Sequence, residues 1–464
     1  MLKMDKKTII GLVLMVAVFI GFSMYQSHIA KEKQEAERAY KLAQAERRAE
    51  AEAAAEAAMT DEDRARRDSL NQVREELAIE RQRVAKEQQM IADTLKYGNS
   101  LLEARNTKAG EDIVLANDVL EVTFSPRGGK ISGVKLLNKK YTRYAEGKRT
   151  KQVEMMVDGT ADFGLFMHLG QNGELFNTNE FVFKPTVAED GRSVVMHLDI
   201  AEDAYLEYVY TLNATGNPSR DYVVDFDIRQ HNIAPYLLSE KWMKLKWKNE
   251  SYQNERSFDN ENIATTIAYY DVKEDKMDEL ESGGDTGSNA DLGWVAFKQQ
   301  YFSSALIGRS ATLRQPQVSY STAEAKSGYI KDFTLSSSVD YTPQTSKYDF
   351  SFYLGPNKFS LLKKLTDNNG RSLEMERIIP LGWIFSTYVS RWVVIPVFDF
   401  LQKYIASFGL IIFLLTLLVK LVIFPLTYKS YLSTAKMRVI KPEIDALNAK
   451  YPRQEDAMKK QQEM

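Results

Sequence analysis

Two long apolar runs stand out against an otherwise mixed pattern of hydrophobic and polar positions. The first covers residues 8–25 and contains no charged side chain, and the second covers residues 405–426, where the only charge is Lys420. About 18–20 consecutive apolar residues allow an α-helix to cross the hydrocarbon layer of a bilayer. The pattern predicts an N-terminal transmembrane anchor in segment 1–29 and a second transmembrane helix over residues 405–427.

Charges beside the two runs predict their orientation. A cleaved secretory signal would resemble the first run, but residues 26–30 match the small-x-small cleavage pattern poorly, so an uncleaved anchor is favoured. Positive residues collect on the cytoplasmic side of spans. Here they precede the first run and follow the second: Lys3, Lys6, Lys7, then Lys429, Lys436, Arg438 and Lys441. Both ends of the chain are therefore predicted to be cytoplasmic and residues 30–404 to lie outside.

The stretch just before the second span, residues 373–404, is aromatic but also carries Arg391 and Asp399. Spanning the bilayer would bury both charges at a cost of several kcal/mol and would invert the orientation. An amphipathic interfacial helix keeps the charges in water and sets aromatic rings at headgroup level. We predict that arrangement, with Trp383 and Trp392 as interfacial anchors.

Residues 30–105 are dominated by Ala, Glu, Arg, Lys and Gln, which are strong helix formers. They predict a long charged helical spacer on the outer side of the membrane. Apolar residues recur every seven positions at Leu70, Leu77, Val84 and Ile91, but glutamates occupy positions of the partner seam. A solvated spacer is therefore favoured over a coiled coil.

The pattern changes to period two over residues 106–372. Apolar and polar positions alternate clearly in residues 196–200, 222–228 and 348–354. Many short strands separated by Gly-, Asn- and Pro-containing turns are typical of an all-β sandwich. We predict one large all-β domain here, with residues 281–289 as a polar, Gly-rich loop.

Composition excludes several kinds of site. The 464 residues have a net charge of only −2, so nothing points to a nucleic-acid partner. The chain has no cysteine, which excludes disulfides and thiolate ligands. No pair of its four histidines has the spacing of a helical metal site. We predict no metal and no cofactor, and interpret His168, His197 and His231 as ordinary residues of the β-domain.

Three segments resemble YidC-type membrane protein insertases. Residues 117–129 begin with NDVL and end with FSPRGG, and residues 293–302 read GWVAFKQQYF. Residues 417–447 carry a positive residue late in an apolar helix, followed by FPLT, KMR and KPEI. Each motif is short, but their order and spacing extend the resemblance over essentially the whole chain.

The resemblance implies a multi-pass protein of the bacterial inner membrane that passes hydrophobic segments of new membrane proteins into lipid. Its fold class would be mixed: transmembrane α-helices, the charged spacer, and a periplasmic β-supersandwich similar to galactose mutarotases. It also implies a hydrophilic groove with one positive residue, here Lys420, and a cytoplasmic helical hairpin that begins in residues 428–464. Such proteins are not enzymes and use no cofactor. Their partners are nascent membrane proteins, the Sec translocon, the ribosome and signal-recognition components.

Two features depart from the family pattern. The groove residue is usually arginine, and Lys420 keeps the charge without the fixed fork of donors. The chain also stops at Met464, inside the expected hairpin, so a C-terminally truncated form is expected.

At residue level, Pro425 is expected to end the second span and Thr427 to cap it.

Some interpretations stay open. Lys420 could snorkel to the nearby helix end instead of facing a groove. The basic run Lys429, Lys436, Arg438 and Lys441 fits either a topology determinant on anionic lipid or a contact surface for ribosome and nascent chain.

Two other function classes compete with an insertase. A membrane-tethered carbohydrate-active enzyme would need a histidine and a carboxylate in one cleft, and no sequence feature brings them together. A structural or sensory protein that pairs through its spacer leaves Lys420 unexplained. A non-enzymatic insertase is therefore the favoured hypothesis.

Overall fold

A computed structural model describes residues 60–450, except 158, 170–173, 238–241, 281–285, 288–289, 383 and 406, together with the isolated positions 44 and 47. The chain divides into two compact units, residues 1–92 and 93–464. The predicted first span and the lysines before it lie outside the described residues, as do Trp383 and most of the 281–289 loop.

The charged segment forms helix α1 (Asp61–Asn106), which is kinked at Gly98, where φ is +71°. The helix begins at Asp61, where an acidic first turn favours a helix start. Leu70, Leu77 and Val84 are each more than 40% exposed, so the apolar seam is solvated over these described positions. Near the other end of α1, Leu101 is buried in the hydrophobic core of the second unit.

Twenty-one strands follow among the described residues. Their bounds are β1 Ile113–Ala116, β2 Leu120–Ser125, β3 Lys130–Leu136, β4 Thr142–Ala145, β5 Lys148–Gln152, β6 Glu154–Met156, β7 Asp162–Leu169, β8 Glu174–Asn177, β9 Lys184–Val187, β10 Ser193–Ala201, β11 Ala204–Leu212, β12 Val223–His231, β13 Trp242–Tyr252, β14 Thr266–Asp271, β15 Lys276–Glu279, β16 Thr286–Gly287, β17 Asp291–Lys298, β18 Phe302–Gly308, β19 Leu313–Thr322, β20 Tyr329–Asp340 and β21 Lys347–Pro356.

Most strands belong to one large antiparallel sheet. Its order is β8-β7-β13-β20-β19-β17-β18-β21-β12-β11-β10-β9, with β14, β15 and β16 paired at its side. A four-stranded sheet has the order β1-β2-β3-β6, and β4 pairs with β5. The predicted all-β domain is thus confirmed.

The large sheet folds back on itself around an aromatic core. Phe163 on β7 packs against Phe226 on β12 with ring centroids 5.1 Å apart, although these strands are well separated in the sheet order. Trp247 on β13 likewise lies 5.5 Å from Phe352 on β21. Such pairs add about 0.5–1.5 kcal/mol each beyond the area they bury. Two layers therefore enclose one core, as in a sandwich.

The period-two pattern is confirmed on β10 and β12, two of the three strands that it singled out. On β10, Met196, Leu198 and Ile200 are buried, and the residues between them are partly exposed. Strand β21 differs, because from Phe350 to Pro356 both of its faces are buried. It lies between β18 and β12 inside the sheet.

The two β-domain motifs that carry the family resemblance contain residues that stabilise turns and connect strands to neighbouring segments. The Asn117 carboxamide oxygen accepts from the Leu120 amide at 2.7 Å, and its nitrogen donates to the Asp221 carbonyl at 2.8 Å. Trp294 is fully buried and its indole N–H donates to the Leu373 carbonyl at 2.8 Å. At Gly129 (φ +62°), an added Cβ would lie 2.9 Å from the Phe183 ring. These residues join the strands to the segments around them.

The remaining helices cover the ends of the domain and lead out of it. Short helices are α2 Pro218–Asp221, α3 Phe258–Ala264 and α4 Phe359–Leu362, with 3₁₀ turns at Thr178–Glu180, Ala234–Tyr236 and Met375–Ile378. Next come α5 (Ile384–Val389), a π-helical turn (Ser390–Val394) and α6 (Ile395–Gln402). The last element is the long helix α7 (Phe408–Lys450).

Candidate functional site

Helix α7 is the one described helix that is long and apolar enough to cross a membrane, over Phe408–Ala446. It continues through Pro425 and Pro442, so the expectation that Pro425 ends the helix is wrong. The Thr427 hydroxyl donates to the Ile423 carbonyl at 2.7 Å inside the helix and caps nothing. A helix that ended among apolar residues would leave four backbone carbonyls without hydrogen-bond partners. A proline inside the helix removes only one backbone hydrogen bond.

Lys420 lies exposed on this helix with polar residues along the same side. At about 100° per residue, Thr416 and Thr427 lie within about 40° of Lys420 around the axis, and Arg438 returns to the same direction after five turns. The Thr416 hydroxyl donates to the Ile412 carbonyl at 2.8 Å. Because the hydroxyls bond to their own helix, their lone pairs remain available on that side. The continuous helix therefore places a row of polar residues, the polar stripe, along one side of α7, where the rings of Phe413 and Phe424 also lie.

The basic run predicted as one surface divides between two sides of the helix. Lys429 and Lys436 lie about 160–180° around the axis from Lys420, whereas Arg438 and Lys441 lie on or near its side. All four side chains are exposed. The sequence alone hides the stripe if Pro425 ends the helix, because residues before and after the break would then not share one side. The seven-residue spacing of Lys420, Thr427 and Thr434 was the available signal.

The aromatic segment before α7 is held against the β-domain. The Arg391 guanidinium forms an ion pair with Glu376 at 3.0 Å, and Glu376 is only 5% exposed. Arg391 thus remains 37% exposed, and a buried carboxylate also holds its guanidinium. Trp392 is 68% exposed, in keeping with an outward-facing ring, while Trp383 lies outside the described residues.

The three histidines of the β-domain lie on strands, and His197 and His231 lie beside carboxylates. The two ring nitrogens of His197 lie 2.9 Å from Glu207 and 2.9 Å from Asp199. Burial disfavours the charged imidazole, but these hydrogen bonds outweigh it and raise the pKa of His197. Tyr205 lies between His197 and His231, with ring centroids 4.8 and 4.9 Å away. Among the described residues no cluster of His, Asp and Glu is arranged to hold a metal ion.

Comparison with known families supplies independent evidence. Residues 112–396 match the YidC periplasmic domain family, and residues 400–464 match the 60Kd inner membrane protein family. A membrane protein insertase YidC from Parabacteroides distasonis is 30% identical, over 99% of this chain and 69% of that protein. Another from Porphyromonas gingivalis is 34% identical, with the same coverage of 99% and 69%.

Solved structures give weaker likenesses. The crystal structure of YidC from Thermotoga maritima is 13% identical with a TM-score of 0.30, covering 74% of this chain and 79% of that one. A galactose mutarotase related enzyme from Lactobacillus acidophilus is 11% identical with a TM-score of 0.30, covering 53% and 97%.

The curated relatives are named insertases and not enzymes, and their similarity extends over nearly the whole chain. The family match to the periplasmic domain alone covers more than half of it. This chain belongs to the YidC family of membrane protein insertases.

Proposed function

We propose that this protein inserts hydrophobic segments of newly made membrane proteins into the inner membrane, and that Lys420 acts in a hydrophilic groove. Family membership supports the activity. The single observation that carries the groove assignment is the polar stripe on α7, where Lys420 lies in line with Thr416 and Thr427. The nascent membrane protein is the substrate, and the Sec translocon, the ribosome and signal-recognition components are the proposed partners.

A charged side chain inside a transmembrane span carries an energetic cost. A lysine at the centre of a span costs about 2.5–3.5 kcal/mol on insertion scales, and less near an end. A lysine needed only for orientation would cost less after the apolar run, where Lys429 and Lys436 already lie. A hydrated groove would lower the cost of Lys420 and would let it attract acidic or polar parts of a substrate segment.

The remaining parts take roles that follow from the sequence. Residues 1–29 anchor the chain, 30–105 space the β-domain from the membrane, and 106–372 form the periplasmic domain. Residues 373–404 lie at the membrane surface, with Trp383 and Trp392 at headgroup level. Residues 405–427 span the bilayer, and 428–464 begin a cytoplasmic hairpin. Its basic residues Lys429, Lys436, Arg438 and Lys441 contact the ribosome or nascent chain.

Replacement of Lys420 tests the groove. Cells depleted of their own insertase would be complemented with Lys420→Arg, Lys420→Leu and Lys420→Glu at matched expression. Arginine keeps the charge and is expected to support growth at least as well as lysine. Leucine and glutamate are expected to impair insertion, most strongly for substrates with acidic translocated segments.

A matched control separates the groove from a general loss of positive charge. Lys244 is an exposed lysine on β13, and Lys244→Leu makes the same chemical change there. It is expected to complement fully. If Lys420→Leu and Lys420→Glu also complemented for every substrate, Lys420 would be a snorkelling residue and the groove assignment would fail.

A further inference from the structure

We propose that a phospholipid binds in the cleft between the β-domain and the α5–α6 segment, with its phosphate against Lys358, Lys364 and Lys403. This inference uses the proposed position of residues 373–404 at the membrane surface, but it does not depend on insertase activity.

The cleft has an apolar part of about 720 Å³. Tyr141 and Phe359 line it from the β-domain, Ile395 and Phe398 line it from α6, and Phe408 lines it from the first residue of α7. Phe398 and Phe408 are stacked with ring centroids 6.3 Å apart. The apolar part therefore opens beside the start of the candidate span, where an acyl chain of a surrounding lipid could enter.

An adjoining part of about 570 Å³ has charged and polar residues beside apolar surface in its lining, and we call it the polar part. Lys358, Lys364 and Lys403 line it, and Lys358 also lines the apolar part. None of the three forms an ion pair with a carboxylate of the described residues. Asp399 also lines both parts, so the local balance is three positive charges to one negative. That excess favours an anionic group.

A buried hydroxyl supplies a second observation that points to a ligand. Ser219, at the start of the domain's α2 helix, is only 2% exposed and lines the polar part. Its Oγ has no hydrogen-bond partner among the described residues. A buried hydroxyl without a partner costs about 1–3 kcal/mol. Rotation of this side chain toward the cleft would let a phosphate oxygen accept from the hydroxyl and would remove that cost.

Two features favour a lipid over free phosphate. The apolar part continues directly from the lysine-lined part, so one molecule with a phosphate and acyl chains would fill both. The segment that forms one wall of the cleft also carries exposed aromatic rings, each more than half exposed, at Tyr388, Trp392, Phe400 and Tyr404. Aromatic rings with apolar bodies and polar edges concentrate at the headgroup level of bilayers.

The experiment measures lipid retained by the purified full chain. The protein in detergent would be mixed with phosphatidylglycerol, separated by gel filtration, and its bound lipid counted by mass spectrometry. Replacing Lys358, Lys364 and Lys403 by Gln is expected to weaken retention roughly fivefold for each lysine. A matched variant, Lys148→Gln with Lys244→Gln and Lys246→Gln, removes three exposed lysines elsewhere on the β-domain and is expected to retain lipid normally.

Two further arms keep the inference testable if the Gln variant folds poorly. The Lys→Arg replacement at all three positions keeps the charge and is expected to retain lipid. Phe398→p-benzoyl-phenylalanine, with every lysine present, is expected to cross-link a phospholipid on illumination. Equal retention by the Gln variant, equal loss in the matched variant, or a missing cross-link would each overturn the proposal. Complete displacement by inorganic phosphate would indicate a phosphate site without a lipid. A failed insertion assay would leave these results unchanged.

Discussion

At the scale of single residues, His197 shows how strand register creates an electrostatic site. On β10 it lies directly opposite Glu207 on β11, and Asp199 follows two positions later on the same face. Both carboxylates therefore reach the ring, at 2.9 Å each. Lys184 on β9 in turn donates to Asp199 at 2.7 Å, and this bond is the main cause that lowers the pKa of Asp199. The cluster is a local network of alternating charges.

This network predicts a pH-dependent stability. Burial opposes the charged imidazole, but the two carboxylates overcome it and raise the pKa of His197 above 6.5. The stabilisation is therefore complete below about pH 6.5 and is lost as the pH rises through the folded-state pKa. His197→Gln should destabilise the β-domain more at pH 5.5 than at pH 8.5. Thermal unfolding followed by the fluorescence of buried Trp247 and Trp294 measures this difference.

His28→Gln serves as the control, because it removes the same residue type from a part of the chain that precedes the β-domain. It should leave the pH dependence of that transition unchanged. A His197→Gln effect that is equal at both pH values would mean that the ring acts only through packing against Tyr205.

At the scale of elements, α7 shows why a local rule can fail. Proline inside a helix costs about 3 kcal/mol or more, which supports a break at Pro425 in isolation. In hydrocarbon, however, a helix end exposes several carbonyls that have no water to bind, at several kcal/mol each. Continuing past the proline is therefore the less costly choice. The same continuity aligns Lys420 with Arg438 along one side.

The continuous helix makes a distance prediction. The chain has no native cysteine, so spin labels can be attached through Ile412→Cys and Met437→Cys without background. Both positions are well exposed. At 1.5 Å per residue, a continuous helix separates them by about 37 Å. A chain that turned back at Pro425 would bring the labels much closer together. Pulsed electron spin resonance on the protein in lipid nanodiscs gives this distance.

Pro425→Ala with the same label pair is the matched variant. If the helix already passes through residue 425, restoring the backbone donor should change the distance by only a few Å. A large lengthening in the alanine variant would show that the native proline interrupts the helix.

The sequence predicted elements better than their combination. The alternation of apolar and polar residues correctly placed Met196, Leu198 and Ile200 in the core. In a strand with one face in solvent, every second side chain is buried, so the sequence shows which face is buried. The pairing of β7 with β13 was not predictable, since these strands are far apart in the chain. Lys420 was found as a lone charge in an apolar run. The lysine-lined cleft was missed, because its residues come from separate segments around Ser219, Lys358 and Lys403.

At the scale of the whole molecule, the β-domain and the segment leading into α7 are joined by specific contacts. Arg391 pairs with the buried Glu376, and its guanidinium lies 5.6 Å from the centre of the Phe359 ring. Lys140 lies 5.6 Å from the centre of the Phe408 ring, at the first residue of α7. Removing a partner from a buried ion pair is costly. The orientation of the domain is therefore coupled to the helix that is proposed to cross the membrane.

The orientation of the chain in the membrane is a property of the whole molecule, and it can be tested with reporter fusions. Positive residues resist transfer across the inner membrane, and four of them follow the apolar part of α7: Lys429, Lys436, Arg438 and Lys441. Reporters fused at Asn448 should therefore lie in the cytoplasm. Green fluorescent protein fused there should fluoresce, and alkaline phosphatase fused there should be inactive. Fusions at Gly283, in the polar loop of the β-domain, should give the opposite pair of results.

The four basic residues are the proposed cause of this orientation, so removing their charges should change it. Replacing all four by Gln is expected to lower the cytoplasmic signal at Asn448, because the charge difference across the span then disappears. Replacing Lys148, Lys244 and Lys246 on the β-domain should leave both reporters unchanged, since positive charges on a large translocated domain have little influence. A cytoplasmic reporter at Gly283 in the native sequence would overturn the orientation. It would also remove the basis for placing Trp392 at the outer surface and Lys420 in the proposed groove.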